Sequence, residues 1–460
     1  MTPTENALLK TIPASRFLYV KTFGCQMNEY DSLRVQRILH CQGYALTSDM
    51  ASADIIFLNT CSVREKAEQK VHSFLGRLRH LKALRPELKI IVGGCVAQQL
   101  GKQLLERFEH LDLVLGTRGI AAIGELLEGI QETNDRLAHL PDEEAPRHSH
   151  EQHLPPGPGL AAVTAPVTIM QGCDNYCTYC IVPYVRGRER SRPVEEILRE
   201  IQALTASGVR EILLLGQNVN SYGRGLDEKT GFVDLLHRIQ TETEVGRVRF
   251  TTSHPKDLTA DLMQCFADLP CLCKRLHLPV QAGSDSVLSR MNRGYTAAQY
   301  VEKILALRQA CPDIAVSADV MVGFPGETED DFRKTLQLLE AVQFDNLFSF
   351  RYSDRPYAKS SEFPDKVDAQ TKGRRLLELQ HLQAEITLRK NQMEVGSIRE
   401  VLVEGPSHAA NGQLSGRTSQ NRVVNFDGSK GLIGQTIYVK IVAAFSHSLK
   451  GEAGLQRGNA

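Results

Sequence analysis

The sequence contains no tryptophan, no long uninterrupted apolar run and no excess of either charge. Without such a run we expect no transmembrane helix. Basic and acidic residues each number 54, so any RNA contact must come from a local basic patch rather than from the overall charge. The N-terminal stretch lacks an apolar secretory segment, because Glu5 and Lys10 interrupt it. We therefore expect a cytoplasmic protein whose cysteines are thiols or metal ligands rather than disulfides.

Three of the eleven cysteines lie within one short run, in which Cys173, Cys177 and Cys180 have the spacing C-x3-C-x2-C. No fourth cysteine follows closely. Soft thiolate ligands select an iron–sulfur cluster or zinc. Three thiolates on a cuboidal cluster leave one iron open, and an open iron can bind a substrate. The alternative is a structural zinc loop, although zinc favours paired C-x2-C knuckles.

Three further cysteines each follow an apolar stretch that we interpret as a β-strand. They are Cys25, Cys61 and Cys95. In open α/β sheets ligands bind outside the carboxyl ends of the strands, so these thiols should converge on one crevice. We predict a second three-thiolate cluster there. The alternative is three buried structural cysteines, since free cysteine is often buried. The remaining cysteines match no ligand spacing and are interpreted as structural: Cys41, Cys265, Cys271, Cys273 and Cys311.

The pattern of apolar stretches predicts an α/β protein with three domains and one linker. Residues 16–132 alternate strands and helices, which indicates a doubly wound parallel sheet. Residues 133–158 are polar and rich in proline and histidine, and we interpret them as an extended tether. Residues 159–391 contain six βα units, typical of an incomplete TIM-like barrel. Residues 394–457 are glycine-punctuated, and a small antiparallel β-barrel is expected.

The predicted strands of the two larger domains can be bounded from the apolar runs. In the first domain they are Phe17–Thr22, Asp54–Asn59, Lys89–Val92 and Leu111–Leu115. In the second they are Val167–Met170, Glu211–Leu215, Arg247–Thr252, Arg275–Pro279, Val316–Val322 and Asn346–Tyr352.

Polar residues follow several barrel strands, at the end where such barrels carry their functional groups. Gln217, Gln281, Ser284 and Asp319 are weak candidates individually, because each could be an ordinary polar residue at a strand end. The stretch from Gly323 to Glu327 is either a plain turn or a backbone contact to a nucleotide-like cofactor.

Two groups of basic residues could contact anions. The first alternates along the chain after Cys180, which would place its guanidinium groups on one side of an extended strand: Arg186, Arg188, Arg190 and Arg192. The second lies in the last segment, with Arg417, Arg422 and Lys430 near Phe426, Tyr438 and Phe445. Small barrels with basic and aromatic surfaces commonly hold nucleic acid, although an ordinary capping domain would have a similar composition.

Taken together, the motifs resemble those of the methylthiotransferases, a family of radical S-adenosylmethionine (SAM) enzymes, over nearly the whole chain. The stretches that carry the resemblance are Thr22–Asn28, Asn59–Glu65, Gly93–Gln98 and Gln171–Arg192, and Gly416–Phe426 resembles a TRAM domain. Within the family they are most similar to the members that modify an isopentenylated adenosine beside the tRNA anticodon. A serine is expected at Ala282, and the histidine- and proline-rich linker is unusual.

The resemblance implies a site and a chemistry. Cys25, Cys61 and Cys95 would hold an auxiliary 4Fe–4S cluster, and Cys173, Cys177 and Cys180 the cluster that binds SAM. Tyr179, Gln217, Gln281, Ser284 and Asp319 would contact SAM, and Arg417, Arg422 and Lys430 the RNA. The reaction would be methylthiolation of carbon 2 of the adenine, with one SAM as methyl donor, a second as radical source, and sulfur from the auxiliary cluster. The two strand-end crevices would have to share the base.

The resemblance also implies partners: a tRNA anticodon stem-loop carrying isopentenyladenosine, an electron donor such as flavodoxin or ferredoxin, and iron–sulfur assembly or carrier proteins. We expect a monomer without membrane association. Two alternatives stay open. One is a sister methylthiotransferase that acts on a ribosomal protein or on threonylcarbamoyladenosine. The other is a non-catalytic iron–sulfur protein that binds RNA.

Overall fold

The computed structural model describes residues 16–62, 65–141, 163–226, 230–407 and 412–455. Most of the tether interpreted from the sequence lies outside these ranges, including its histidines His148, His150 and His153. The chain divides into two compact units. One combines Met1–Leu160 with Ile181–Arg188, and the other combines Ala161–Cys180 with Glu189–Ala460. Within the described ranges, no helix is both long and apolar enough to span a membrane.

The first unit contains a six-stranded, fully parallel sheet with the order β2-β1-β3-β4-β5-β6. Its strands are β1 (Arg16–Thr22), β2 (Tyr44–Leu46), β3 (Ile55–Thr60), β4 (Lys89–Gly94), β5 (Leu113–Leu115) and β6 (Leu137–His139). Its helices are α1 (Gln26–Cys41), α2 (Glu65–Leu84), α3 (Cys95–Leu100), α4 (Lys102–Arg107), α5 (Ile123–Thr133) and α6 (Val182–Arg186). The predicted doubly wound parallel sheet is confirmed.

Both faces of this sheet are covered, because the central strands β3 and β4 are buried at every position. Ile56 and Leu58 pack with α2 on one face, and Ile55 and Phe57 pack with α1 and α5 on the other. Strands buried on both faces are typical of parallel sheets with helices on each side. The three-residue strand β6 belongs to this sheet, although its residues fall in the predicted tether.

The second unit contains six parallel strands arranged as two three-stranded sheets. An isolated parallel bridge between Val248 and Leu272 joins them. The strands are β7 (Thr164–Thr168), β10 (Glu211–Leu215), β11 (Arg247–Phe250), β12 (Arg275–His277), β13 (Ala315–Val322) and β14 (Asn346–Arg351), and a short hairpin adds β8 (Met170–Gln171) and β9 (Arg190–Ser191). The predicted six βα units of an incomplete TIM-like barrel are confirmed.

Seven helices accompany these strands in the described part of the chain. They are α7 (Val194–Ala206), α8 (Phe232–Glu242), α9 (Ala260–Asp268), α10 (Asp285–Arg290), α11 (Ala297–Ala310), α12 (Glu329–Val342) and α13 (Ala369–Gln392). Of these, α10 packs in a smaller separate cluster, and the other six bury an apolar face in one continuous core. Several begin at a residue whose side chain accepts a backbone N–H of the first turn. Thr296 and Thr328, for example, form capping boxes with Gln299 and Asp331, which fixes where α11 and α12 begin.

The last segment forms the predicted small closed barrel, with the order β15-β16-β17-β19-β18. Its strands are β15 (Ile398–Pro406), β16 (Gln413–Thr418), β17 (Val423–Asp427), β18 (Thr436–Ala444) and β19 (Leu449–Leu455). Four of its strand pairs are antiparallel, as predicted, and β17 pairs with β19 in parallel. Phe426, which the sequence places near a basic surface, is fully buried in the core of this barrel. It therefore cannot stack on a base, whereas Phe445 is exposed.

The small barrel packs against the amino-terminal ends of the radical SAM strands through two buried arginines of β11. Arg247 donates to the carbonyl of Arg417 at 2.8 Å and pairs with Glu400. Arg249 donates to the carbonyl of Thr418 and pairs with Glu211 at 2.9 Å. The C-terminal barrel therefore packs on this unit's strands while keeping a hydrophobic core of its own.

The Arg249–Glu211 pair gives a test of that junction, because both side chains are at most 4% exposed. Glu211→Gln leaves a buried guanidinium without its carboxylate, which typically costs about 3–5 kcal/mol. We expect the urea midpoint of the second unit's unfolding to fall accordingly. Glu242→Gln is the matched control, since Glu242 pairs with Arg238 on the surface and should matter little. An unchanged midpoint for Glu211→Gln would show that the junction does not support the fold.

Candidate metal centres

The first cysteine triplet lies at the carboxyl ends of three neighbouring strands. Cys25 precedes α1 just beyond β1, Cys61 follows β3 directly, and Cys95 begins α3 after β4. The registers Thr22↔Asn59 and Thr60↔Gly94 align these strand ends. The strand order reverses between β1 and β3, and such a switch point is where doubly wound sheets bind ligands. The sheet therefore places the three cysteines at one crevice, as the sequence predicts.

Two glycines allow the strand ends to approach each other this closely. Gly24 has φ +123°, and a Cβ on it would lie 2.2 Å from the Cβ of Cys61. Gly94 has φ +94°, and a Cβ there would lie 2.4 Å from the carbonyl oxygen of Thr60. Both residues combine a left-handed backbone with a lack of space, so any larger residue would force Cys25 and Cys95 away from Cys61.

Two buried asparagines fix the loops that carry the thiols. Asn28 donates to the carbonyl oxygens of Phe23 and Thr60, at 3.1 and 2.8 Å. Asn59 donates to the carbonyl oxygen of Asn28 at 2.7 Å. The Oδ1 atom of Asn28 lies 3.6 Å from the Cys25 sulfur. These bonds tie the end of β1 to the end of β3 and hold the crevice rigid.

A buried arginine places positive charge among the three thiols. Arg186, at the end of α6, donates to Oδ2 of Asp31 at 2.9 Å and to Oδ1 of Asn28 at 3.1 Å. Arg186 and Asp31 are 4% and 3% exposed. The Nη1 atom of Arg186 is buried and meets no acceptor with hydrogen-bond geometry. Because Arg186 ends a helix, the predicted alternation of four arginines along one strand is wrong.

The electrostatic environment differs between the thiols. A hydrogen bond from Cys61, the charge of Arg186 and nearby backbone N–H groups lower the pKa of Cys25 to about 6, against the opposing effect of burial. Burial raises the pKa of Cys95, although the charge of Arg186 opposes this. A thiolate is the form that ligates metal, so Arg186 favours the ligating state at this crevice.

The second triplet lies on the loop that follows β8. Cys173 and Cys177 are buried and Cys180 is half-buried. Gly172, with φ +83°, begins the loop, and its N–H donates to the side chain of Gln217 at 2.6 Å. Burial raises the pKa of Cys173 to about 11, so metal binding there must displace a proton. Gln217, a predicted cofactor contact, is thus a residue that positions the cysteine loop.

The segment after α10 holds the same loop from the other side. The side chain of Thr178 donates to the carbonyl of Arg290 at 2.9 Å, and Asn292 donates to the carbonyls of Asn175 and Tyr176. These contacts join residues more than 110 positions apart in the chain. The loop is therefore fixed in shape by the barrel instead of being a free surface turn.

Sequence reasoning missed Arg293, a buried charged residue that contacts this triplet. It is 4% exposed and donates to the sulfur of Cys177 at 3.3 Å and to the carbonyl of Pro279 at 2.7 Å. It also lies 3.5 Å from the hydroxyl of Tyr179. Nothing in the local pattern around Arg293 indicates that it meets a cysteine 116 residues earlier.

Both triplets are sets of three soft thiol donors, the ligand type that iron–sulfur clusters take. In the part of the chain that the structure describes, no three cysteine, histidine or acidic side chains form a group suited to one ion. Each thiolate of a cuboidal cluster ligates a different iron, so its ligands stand farther apart than those of one ion. Soft sulfur donors suit iron–sulfur clusters, and the buried cations Arg186 and Arg293 offset their negative charge.

The other predicted cofactor contacts occupy different environments. Ser284 is buried and donates to Asp331 at 2.5 Å, so its hydroxyl joins α10 to α12. Gln281 has φ +75° and bonds through its backbone to Asp319 and Met321. Asp319 lies 3.6 Å from His277 and keeps 28% of its side chain exposed. The SAM roles of these residues, like those of Tyr179 and Gln217, stay predictions.

The turn from Gly323 to Glu327 is fixed by a buried ion pair. Glu327 accepts the N–H of Gly323 at 3.0 Å and pairs with Arg375 at 2.8 Å. Gly326 has φ +78°, and a Cβ there would overlap the Arg290 guanidinium. The turn is thus held rigidly at the carboxyl end of β13, where a cofactor contact is expected.

The predicted RNA contacts lie on the C-terminal barrel in unequal settings. Lys430 is exposed. Arg417 is 36% exposed and pairs with Glu404 at 3.1 Å. Arg422 is only 13% exposed and pairs with Asp345 at 3.0 Å. Their assignment to RNA stays a prediction, and the structure gives Arg422 a second role in joining this barrel to β14.

Comparison with known proteins defines the class to which this fold belongs. The Radical SAM superfamily profile matches residues 167–339, the profile of Uncharacterized protein family UPF0004 matches residues 17–116, and the TRAM domain profile matches residues 392–453. The protein is therefore a radical SAM enzyme with a TRAM domain. The exact domain boundaries at residues 132, 158 and 391 stay predictions.

The relatives define the family. The tRNA-2-methylthio-N(6)-dimethylallyladenosine synthase of Syntrophobacter fumaroxidans is 63% identical over 98% of this chain and 98% of its own length. The synthase of Geobacter metallireducens is 49% identical over 95% of this chain and 98% of its own length. The chain belongs to the family of tRNA-2-methylthio-N(6)-dimethylallyladenosine synthases. Its cofactors are accordingly two 4Fe–4S clusters and SAM, as the sequence predicts.

Solved structures support the fold alone. The radical SAM methyltransferase TsrM from Kitasatospora setae is 14% identical, with a TM-score of 0.54 over 75% of this chain and 74% of that one. The cobalamin-dependent radical SAM enzyme OxsB gives a TM-score of 0.51 over 81% of this chain and 56% of that one, also at 14% identity.

Arg293 gives a prediction about the SAM-binding cluster. Hydrogen bonds to ligand sulfurs and nearby charge help to set the potential of such clusters. We expect Arg293→Gln to lower the reduction potential by about 60 mV, which corresponds to roughly 1.4 kcal/mol for one electron. Arg293→Lys, which keeps the charge, should shift it less. Electron paramagnetic resonance during a redox titration measures this. The control is Arg333→Gln on the exposed face of α12, and equal potentials in all variants would contradict the role of Arg293.

Proposed function

We propose that the protein transfers a methylthio group to carbon 2 of N6-isopentenyladenosine next to the anticodon of tRNA. Two cysteine triplets carry this proposal, because each lies at the strand ends of its own α/β unit, with a buried arginine beside it. A protein that used its cluster only for structure would have no need of two sites that each leave one ligand position open.

The residues have separable roles in the proposal. Cys173, Cys177 and Cys180 hold the cluster that binds SAM, and Cys25, Cys61 and Cys95 hold the auxiliary cluster. When bound, these groups supply the methyl group, the sulfur and the radical that an unactivated aromatic C–H bond requires. The chain itself positions them: Gln217, Thr178 and Asn292 fix one loop, and Asn28 and Asn59 fix the other.

The interior of the SAM-binding barrel offers groups that can orient a cofactor. Asp319 projects from β13 beside His277, whose Nδ1 lies 3.1 Å from the hydroxyl of Ser317. A carboxylate with exposed surface inside a barrel can accept hydrogen bonds from hydroxyl or ammonium groups. We assign Asp319 and the side chain of Gln281 to SAM. Tyr179, partly buried beside Arg293, closes the cluster loop.

The substrate and partners follow from the same proposal. The anticodon loop is single-stranded, so its bases can be splayed out at modest cost. Lys430 and Arg417 of the C-terminal barrel would contact its phosphates. The reaction consumes electrons, so we assign a flavodoxin or ferredoxin as donor and iron–sulfur carrier proteins as the cluster source. We place the protein in the cytoplasm, where tRNA is modified, as a monomer.

The test is an anaerobic reaction of the reconstituted protein with SAM, dithionite and an isopentenylated anticodon stem-loop. Mass spectrometry of the digested nucleosides should show the 2-methylthio derivative. Parallel reactions contain a threonylcarbamoyladenosine stem-loop and a ribosomal protein. Product in either of those alone would assign the chain to a sister activity. Binding of the stem-loop without deoxyadenosine formation would favour a non-catalytic RNA-binding protein.

A further inference from the structure

A polar cavity lies in the second unit at the amino-terminal ends of the barrel strands, on the side opposite the SAM-cluster loop. Its volume is about 190 Å³, room for roughly six water molecules at ~30 Å³ each, so a phosphate group fits. Strands β12 to β14, the end of α13 and two loops of the C-terminal barrel form its walls. None of the six cluster cysteines and none of the predicted SAM contacts lines this cavity.

Basic side chains dominate the charged lining. Arg275, Arg417 and Arg422 line the cavity, and Asp345 is the acidic residue among the lining residues. Both oxygens of Asp345 are occupied: Oδ1 by Arg422 at 3.0 Å, and Oδ2 by Lys390 at 2.7 Å and the N–H of Val316 at 2.9 Å. The acid is therefore already neutralised by its neighbours and contributes little negative charge to the cavity.

Arg275 differs from the other two arginines. Arg417 pairs with Glu404 and Arg422 with Asp345, whereas the contact described for Arg275 is to the hydroxyl of Ser317 at 3.3 Å. Burial lowers the pKa of Arg275 to about 10, and the charges of Arg249 and Arg417 add to this shift. Burial and two like charges thus disfavour this cation despite the attraction of Glu211, and a bound anion would offset that cost.

We propose that this cavity binds a phosphate group, with Arg275 as its principal contact and Arg417 at its rim. Guanidinium groups suit phosphate because their N–H groups bind two oxygens at once. Neutral donors complete the lining, among them Ser446, Ser448 and Asn421. The phosphate is either one of the RNA backbone or a free phosphate compound. Only the first source rests on the proposed function.

The first test measures whether inorganic phosphate binds saturably to the full-length protein. The readout is the shift of the thermal unfolding midpoint with phosphate concentration at constant ionic strength. Phosphate also stabilises proteins non-specifically, but that effect does not saturate. Arg275→Gln should weaken phosphate binding at least about tenfold, as expected for losing a charged hydrogen-bond donor. The control is Arg199→Gln on the exposed face of α7, which should bind phosphate like the wild type.

Arg275→Gln also removes repulsion from Arg249 and Arg417, so we expect it to fold. Should it fail to fold, Arg417→Gln provides the same test, because Arg417 is partly exposed. It should weaken phosphate binding several-fold. Absence of saturable binding in the wild type, or equal affinity in the wild type and the folded variants, would overturn the proposal.

The second test distinguishes the two phosphate sources. The affinity for an isopentenylated anticodon stem-loop is measured at several salt concentrations. If the RNA backbone supplies the phosphate, Arg275→Gln should reduce the salt-dependence slope by about 0.7–0.9, the value for one contact. If the slope stays unchanged while phosphate binding is lost, the ligand is a free phosphate compound. Failure of methylthiolation would leave the phosphate result unaffected, so the two proposals fail separately.

Discussion

The Cys173→Ala variant is expected to form no 5′-deoxyadenosine above the rate without enzyme, and no methylthio product. Cys173 is buried at the start of the cluster loop, and Gln217 fixes the residue before it. Losing one of three thiolates leaves the cluster with too few ligands to hold SAM in a defined position. The assay is an anaerobic reaction with SAM and dithionite, in which deoxyadenosine is quantified by chromatography.

Cys311→Ala is the matched control for this variant. Cys311 is equally buried in the second unit but lies at the end of α11, outside both triplets. It should retain deoxyadenosine formation, with at most a small loss of stability from the removed sulfur. Deoxyadenosine at the wild-type yield in Cys173→Ala would contradict the assignment of this triplet to SAM cleavage.

The second large effect is expected at the buried pair of Arg186 and Asp31. Asp31→Leu leaves the guanidinium buried beside Cys25 and Cys95 without its carboxylate, and breaking such a pair typically costs about 3–5 kcal/mol. Arg186→Met has the converse effect on Asp31. Replacing both partners by apolar residues of similar size is often neutral, so the double variant should recover most of the stability. Urea unfolding of the three proteins, followed by circular dichroism, measures this.

Cluster retention separates the electrostatic role of Arg186 from its role in folding. The double variant recovers stability but lacks the positive charge near the three thiolates. We therefore expect it to retain less iron in the auxiliary cluster than the wild type, while deoxyadenosine formation persists. If the folded double variant holds its full iron content, Arg186 serves the fold alone.

The positions of the six cysteines could be predicted because they depend on local signals. Apolar runs locate the ends of β1, β3 and β4, with glycine marking β1 and β4, and the rule for parallel sheets then places Cys25, Cys61 and Cys95 together. The same reasoning gave the six barrel strands to within a few residues. The sequence does not predict strands β2 and β6, because three residues at a sheet edge carry too little pattern.

The supporting residues could not be predicted, because their partners are distant in the sequence. Arg186 meets Asp31 across 155 positions, and Arg422 meets Asp345 across 77. Ser284, whose predicted contact with SAM stays a prediction, donates its hydroxyl to Asp331 on another helix, a contact that its local sequence does not indicate. A polar residue at a strand end has the same local sequence pattern whether it contacts a ligand or hydrogen-bonds to a neighbouring helix or strand. Only the three-dimensional structure distinguishes these two roles.

The account depends on each cysteine triplet holding its own cluster, and iron content tests this most directly. Three proteins are reconstituted anaerobically: the wild type, a variant with alanine at positions 25, 61 and 95, and one with alanine at positions 173, 177 and 180. Iron and sulfide per chain, with Mössbauer spectra, should show two 4Fe–4S clusters in the wild type and one in each folded variant. A wild type with a single cluster, or a folded variant that keeps both, would contradict it.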